Sequence, residues 1–242
     1  RPFPRITYRE AMDRYGNDRP DTRIQLELVD LTDAFAESEF RAFRGVVDRG
    51  GIVKCLPIHD AEALSRGQID KLESFVKKEL GGKGLAWNRV AAGGGGPAPI
   101  ALCRAAAERA TLTERCGALA GSLIFFQADV APRANASLSR LRTALGERLG
   151  RVDGRPWELL FVVDVPLFEP DDDGRPTYVH QPFVAPLEED LPLLESDPAA
   201  VRGTHYDVVM NGVELGSGSL RNHRADVQRR IFEIIGYGKE EA

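Results

Sequence analysis

The sequence predicts an α+β protein, on three observations. The second half is crowded with short apolar runs joined by turn signals, which marks antiparallel pairing. Helical periodicity is confined to separate stretches and does not alternate regularly with those runs. The 242 residues, 43% hydrophobic and 29% charged, suffice for one large domain or two small ones with a genuine core.

Residues 6–16, "ITYREAMDRYG", read as a short helix. Thr7 stands at the N-cap, Glu10 completes a capping box, and Gly16 ends the helix. "NDRPDTR" is a polar linker. From Leu26 onward come short elements, "LELVDLTDAF" and "GIVKCLPI", and then a helix over 66–80 with Ile69, Leu72, Phe75, Val76 and Leu80 near helical spacing. "GLAWNRV" (84–90) reads as a strand. "AAGGGGPAP" reads as a loop; it lacks the Lys-Ser/Thr pair and the strand-to-helix setting of a phosphate cradle. Residues 100–117 read as a helix and "SLIFFQADV" as a buried strand, so 26–130 forms a candidate α+β module.

A helix over 134–149 carries Leu138, Leu141, Leu145 and Leu149 on one stripe. Between 133 and 155 six arginines face two acids, which fits either a solvated helix face or a phosphate-facing surface. "ELLFVVDVPLFE" is apolar on both parities, as in a central strand covered on both sides. "PDDDGRP" is a turn without the alternating ligands of a calcium loop. "TYVHQPFVAP" reads as a second strand, and "YDVVM-NG-VELGSGSL" as a hairpin on an Asn-Gly turn. "RADVQRRIFEIIGYG" closes the chain as a helix with Val227, Ile231, Ile234 and Ile235 on one side.

The net charge of −5 gives no global basic field, although a local stripe remains open. Cys55, Cys103 and Cys116 form no CxxC and have no histidine at zinc-ligand spacing, so they read as reduced thiols of a cytosolic protein. No apolar run approaches the roughly 18 residues of a membrane span. The N-terminus has no signal-peptide h-region and no initiator methionine, which suggests an internal piece of a longer chain.

The hairpin carries the strongest candidate site. A two-residue Asn211-Gly212 loop pairs Met210 with Val213 and Val209 with Glu214. Asp207 then shares a face with Glu214 at the diagonal separation, on the order of 7–8 Å between α-carbons. Two such carboxylates suit magnesium, which takes one or two of them and leaves its other positions to water and phosphate oxygens; exposed strand acids are the plainer alternative. Regular alternation puts Gly216 and Gly218 on the Glu214 face, leaving floor space for a ligand. It puts Arg221 on the opposite face. Because a shared cleft needs Arg221 with Glu214, an irregularity is expected between Gly216 and Leu220. Arg221 offers a fork for a carboxylate or phosphate, with a surface ion pair as the alternative. His180 suits ligand binding near neutral pH or a structural role. His205 and His223 read as structural. The glycine track is no dinucleotide fingerprint, because it leaves a hairpin and enters no crossover helix.

"PFPRITYREAMDRYG", "DRPD", "FVVDVPLFE", "HQPFVAP" and "YDVVMNGVELGSGSLRNH" with "VQRRIFEIIG" closely resemble bacterial-type aspartyl-tRNA synthetase, a class II aminoacyl-tRNA synthetase, in the family's order and over essentially the whole chain. The resemblance implies a class II antiparallel sheet with helices, in segments 1–25 and 131–242, interrupted by an inserted GAD domain at 26–130. It implies ATP and Mg2+ held through Asp207 and Glu214, and L-aspartate bound by Arg221 and His180. Gly216, Ser217, Gly218 and Ser219 would form part of the active-site floor. It implies tRNA(Asp), with tRNA(Asn) as a further candidate, a homodimeric full-length parent in the cytoplasm, and no membrane. Gln181, Ser217 and Asn222 depart from the family's usual residues. Motif 2, motif 3 and the anticodon-binding barrel are not found, so the chain resembles a middle piece, expected to be inactive alone. A non-catalytic tRNA- or protein-binding module, like the GAD module of a tRNA-dependent amidotransferase, is the competing expectation.

Overall fold

The computed structural model describes residues 2–59, 64–80, 84–90, 106–171 and 173–238; for 106–109 it describes the backbone only. The glycine-rich run at 91–99, Cys103 and the first residues of the expected 100–117 helix lie outside these. The chain divides into two compact units, Arg1–Ala11 with Asp18–Pro20 and Trp157–Ala242, and Met12–Asn17 with Asp21–Pro156.

In the second unit, β2 (Val29–Asp30), β3 (Ile52–Ile58), β4 (Ala86–Arg89) and β5 (Leu123–Asp129) form an antiparallel sheet in the order β2-β3-β5-β4. Strands β3 and β5 are apolar on both parities because helices cover both faces. Leu56, Ile58, Leu123 and Phe125 share one core with α4 (Arg66–Glu79) and α6 (Ala131–Arg148). Val53, Cys55, Ile124 and Phe126 share another with α2 (Thr32–Phe35), α3 (Arg41–Val47) and α5 (Ala106–Arg115).

This unit extends past residue 130, the boundary expected from the sequence. The leucine stripe of α6 is the reason: Leu138, Leu141 and Leu145 are fully buried in the core that contains β3, β5 and α4. In the arginine-rich stretch Arg133, Arg140, Arg148 and Arg155 are exposed, as on a solvated face, and Arg142 is the exception. Arg142 is fully buried and donates to the carbonyls of Leu26, Asp21 and Ile24. Arg133 pairs with Asp129, Arg155 with Asp153, and Arg151 donates to the His59 carbonyl.

In the first unit, β1 (Arg5–Thr7), β6 (Leu159–Val163), β9 (Tyr206–Met210) and β10 (Val213–Gly218) form a sheet in that order. The β1–β6 pair is parallel and the others antiparallel. Ile6 and Thr7 thus belong to a strand. Helix α1 (Tyr8–Tyr15) begins after them, with the Thr7 hydroxyl accepting from the Glu10 amide at 3.0 Å. Strand β6 is central, but its faces differ. Leu160 and Val162 are buried with Val209 and Ala11, whereas Leu159, Phe161 and Val163 are only partly covered.

The expected second strand over 177–186 is shorter. Only β8 (Pro176–Tyr178) is strand, paired with β7 (Phe168–Pro170) in a separate two-stranded sheet. The turn between them is an Asp171 device, its carboxylate accepting from the amides of Asp173 and Arg175. The short helix α7 (Leu193–Ser196) and the terminal α8 (Ala225–Ile234) close a core of Leu167, Phe168, Val184, Leu194, Val201, Val227 and Ile231.

Candidate functional site

The site is built on the β9–β10 hairpin. Asn211 and Gly212 both have positive φ, 52° and 83°, which is what a two-residue turn of the I′ kind requires. Asn211 is also fixed from its side chain, whose Oδ1 accepts from the Glu158 amide at 3.0 Å. The pairs are Met210 with Val213 and Val209 with Glu214, as the turn dictates. Asp207 lies two residues from Val209 and so projects to the same face as Val209 and Glu214.

Beyond Glu214 the register slips. Val208 pairs with Gly216, Asp207 with Ser217 and Tyr206 with Gly218, leaving Leu215 as the extra residue of a β-bulge. The irregularity therefore stands between Glu214 and Gly216, upstream of the 216–220 interval expected from the sequence. It inverts the parity that follows. Gly216 and Gly218 join Val208 and Tyr206 on the face opposite Asp207, so they do not share the Glu214 face. Ser217 is the small residue facing with Asp207. Gly218 instead admits the Tyr206 ring, because a Cβ there would lie 2.5 Å from the Tyr206 hydroxyl. A Cβ on Gly216 would meet nothing within 4 Å. Strand β10 ends at Gly218, so its alternation does not extend to Arg221.

Arg221 is held by its backbone. It bridges Val184, with Ala185 N donating to Leu220 O and Asn222 N to Phe183 O, each at 2.9 Å. Its guanidinium is exposed and makes no hydrogen bond or ion pair among the described residues. Asn222, one of the departures from the family pattern, donates to the Gln228 side chain, whose amide in turn donates to the Pro182 carbonyl at 2.8 Å. The segment carrying His180 and Gln181 is thereby tied to α8 and to the Arg221 strand.

Asp207 is 6% exposed, and His205 Nε2 donates to its Oδ1 at 2.8 Å. His205 also stacks on His180, ring centroids 4.3 Å apart. His205, read from sequence as structural, is thus in contact with two candidate site residues. The strand begins at Tyr206, as the sequence predicts, and His205 stands just before it in alternation with Asp207 and Val209, which was the available signal. Glu214 lies 3.8 Å from Arg19, a distance at which the pair is a loose one. His223 is exposed.

Two carboxylates with no third protein ligand is what magnesium takes when phosphate and water complete its shell; it is not a closed zinc site. Among the described residues no cluster of three or more His, Cys, Asp or Glu could hold a metal by itself. The Asp207–Glu214 pair fits Mg2+ on those terms. A cleft of about 580 Å³ is lined by Arg5, Phe161, Val163, His205, Tyr206 and Ser219 among others. Asp207 and Glu214 do not line it, so cleft size alone does not locate the chemistry.

The mixed helix-and-sheet architecture is consistent with a class II synthetase domain. The family model for tRNA synthetases class II (D, K and N) matches residues 1–242, and the chain belongs to that family. Among curated relatives it is 43% identical to an aspartate–tRNA(Asp/Asn) ligase of Desulfatibacillum aliphaticivorans over 242 residues, all of this chain and 40% of that protein. It is 46% identical to the aspartate–tRNA(Asp/Asn) ligase of Rubrobacter xylanophilus, again over 100% of this chain and 40% of the relative. It is also 46% identical to an aspartate–tRNA ligase of Lysinibacillus sphaericus, covering 41% of it. The chain thus spans about 40% of the length of these relatives. No helix among the described residues is long and apolar enough to cross a membrane.

Proposed function

We propose that the chain is part of an aspartate–tRNA ligase, which activates L-aspartate with ATP and transfers it to the 3′ end of tRNA(Asp). The observation that carries this reading is the hairpin. Its register pairs Glu214 with Val209, two residues from Asp207, and Arg221 follows the strand's end at Gly218, bridged to Val184.

In this reading Asp207 and Glu214 would hold Mg2+ and, through it, ATP, and the cation would supply charge neutralisation at the phosphates. Arg221 reads the side-chain carboxylate of aspartate with a two-pronged contact that lysine cannot make. His180 lies against the amino acid, on a segment held by Asn222 and Gln228. Ser217 and Ser219 line the small-residue track. No nucleophile is needed, because positioning and charge neutralisation do the work. The α+β unit of the middle sequence is proposed to be the GAD insertion, and the full-length protein a cytoplasmic homodimer. Two of the three relatives are named for both tRNA(Asp) and tRNA(Asn), which supports tRNA(Asn) as a second acceptor.

Aminoacylation by a protein of the relatives' full length, with aspartate and each tRNA in turn, tests the proposal. Charging of neither tRNA refutes it. The 242-residue chain alone is expected to give no aspartate-dependent ATP–pyrophosphate exchange; exchange above background would show that it carries a complete ATP site. A stand-alone tRNA- or protein-binding module is disfavoured, because the synthetase family matches from one end of the chain to the other.

A further inference from the structure

We propose that His205 is a positioning residue serving both substrates: it orients the ATP-side carboxylate Asp207 and supports the aspartate-side ring of His180. The assignment rests on the functional reading above.

The Asp207 side chain is almost wholly withdrawn from water, at 9% exposure, and so is that of His205, at 7%. A buried carboxylate needs a donor, since leaving it bare costs far more than the bond contributes. His205 Nε2 is that donor, at 2.8 Å. An ionised carboxylate only accepts, so the proton of this bond sits on Nε2. The bond fixes which oxygen of Asp207 remains for a ligand and fixes the imidazole plane.

That plane is the one His180 packs against, with centroids 4.3 Å apart and planes inclined by 45°. His180 lies outside the sheet, on the segment after β8, and comes to the hairpin through this contact. One imidazole therefore touches two residues that the functional reading gives to different substrates. The other ring nitrogen, Nδ1, is buried and has no hydrogen-bond partner among the described residues. No hydrogen bond on that side holds the ring, so its orientation rests on Asp207 and on the packing with His180.

The two contacts use different properties of the side chain, and two substitutions separate them. His205→Phe keeps an aromatic face for His180 and removes the donor to Asp207. His205→Gln keeps an N–H donor near the Nε2 position and removes the ring. In the full-length enzyme, His205→Phe is expected to raise the KM for Mg-ATP about tenfold, the scale of a lost hydrogen bond to a charge, and to leave the KM for aspartate within about twofold. His205→Gln is expected to do the reverse, raising the KM for aspartate severalfold.

Calorimetric titration of Mg-ATP without aspartate gives a readout free of turnover, in which only the phenylalanine variant weakens. The assignment is overturned if both variants keep both constants within twofold. It is equally overturned if both constants shift together in each variant alongside a lowered melting midpoint, the mark of a merely structural residue. Wild-type protein lacking aspartate-dependent exchange would refute the underlying functional reading, and this assignment with it; active wild type with unresponsive variants refutes only the role of His205.

Discussion

Arg142 brings a charge into the middle of an apolar helix face, and three backbone carbonyls receive it, with Tyr15 under the guanidinium at 4.7 Å. Burial pushes its pKa down to about 10. The sequence showed the leucine stripe but not this residue's fate, because the carbonyls that capture it lie more than a hundred residues away. Removing the donor strands two buried acceptors and a partly buried one, so Arg142→Ala is expected to cost about 3–5 kcal/mol, the range for breaking a buried charged contact. Denaturant melts of the chain measure it, and a loss below about 1 kcal/mol would mean that water replaces the guanidinium at little cost. Arg221 poses the opposite case, since its side chain is exposed and its value lies in what it can grip. In the full-length protein Arg221→Lys keeps the charge and loses the fork, so aspartate use should fall by about 2–5 kcal/mol in kcat/KM. Near-normal aspartate kinetics would show that Arg221 is a surface residue.

At the scale of elements, the hairpin was legible from the Asn-Gly dipeptide because that turn fixes both loop length and register. The bulge was legible only as a need. Glycines permit an irregularity anywhere along 216–220, and nothing local says that Leu215, with no glycine's freedom, is the residue left unpaired. Every observed cross-strand pair skips Leu215, so deleting it should keep every pair and every face and remove only the local bend that the bulge gives the strand beside Glu214. The expected outcome in the full-length protein is a melting midpoint within a few degrees of wild type and a raised KM for Mg-ATP. An unchanged KM would show that the bend beside Glu214 contributes nothing to ATP binding. A second element-scale device joins the 188–190 turn to the chain at Arg202, whose side chain and backbone amide both donate to Asp190. The Arg202 hydrogen bonds hold the Asp190 carboxyl below its usual 3.8. A depressed carboxylate pKa means that the unfolded chain takes up the proton first on acidification. The stabilisation is thus complete above about pH 4 and is lost as pH falls through the lower folded value. Arg202→Met should therefore flatten the acid limb of the stability curve, read as melting midpoints between about pH 6 and pH 3. An unchanged acid limb would place the effect elsewhere.

At the scale of the molecule, the sequence separated a middle α+β module from its flanks but drew its C-terminal edge at residue 130. The apolar stripe of α6 was visible; what it packs against was not, because an amphipathic helix states that it has a core side without saying whose core. The structure answers that Leu138, Leu141 and Leu145, each fully buried, complete the core of β3, β5 and α4. Fully burying a leucine contributes about 1.5–3 kcal/mol, so the three together supply on the order of 5–9 kcal/mol. A typical domain has only about 5–15 kcal/mol of net stability. A segment ending at 130 would also expose Leu56, Ile58, Leu123 and Phe125, which share that core, to solvent. Residues 12–156 are accordingly expected to express as a soluble unit with a cooperative melt, whereas residues 26–130 should be unfolded or aggregated. The contrast is decided by α6, so the shorter segment should be rescued by adding a peptide spanning 131–156. Independent folding of 26–130, with a cooperative transition and no such peptide, would show that the α6 leucines cover a core already complete without them.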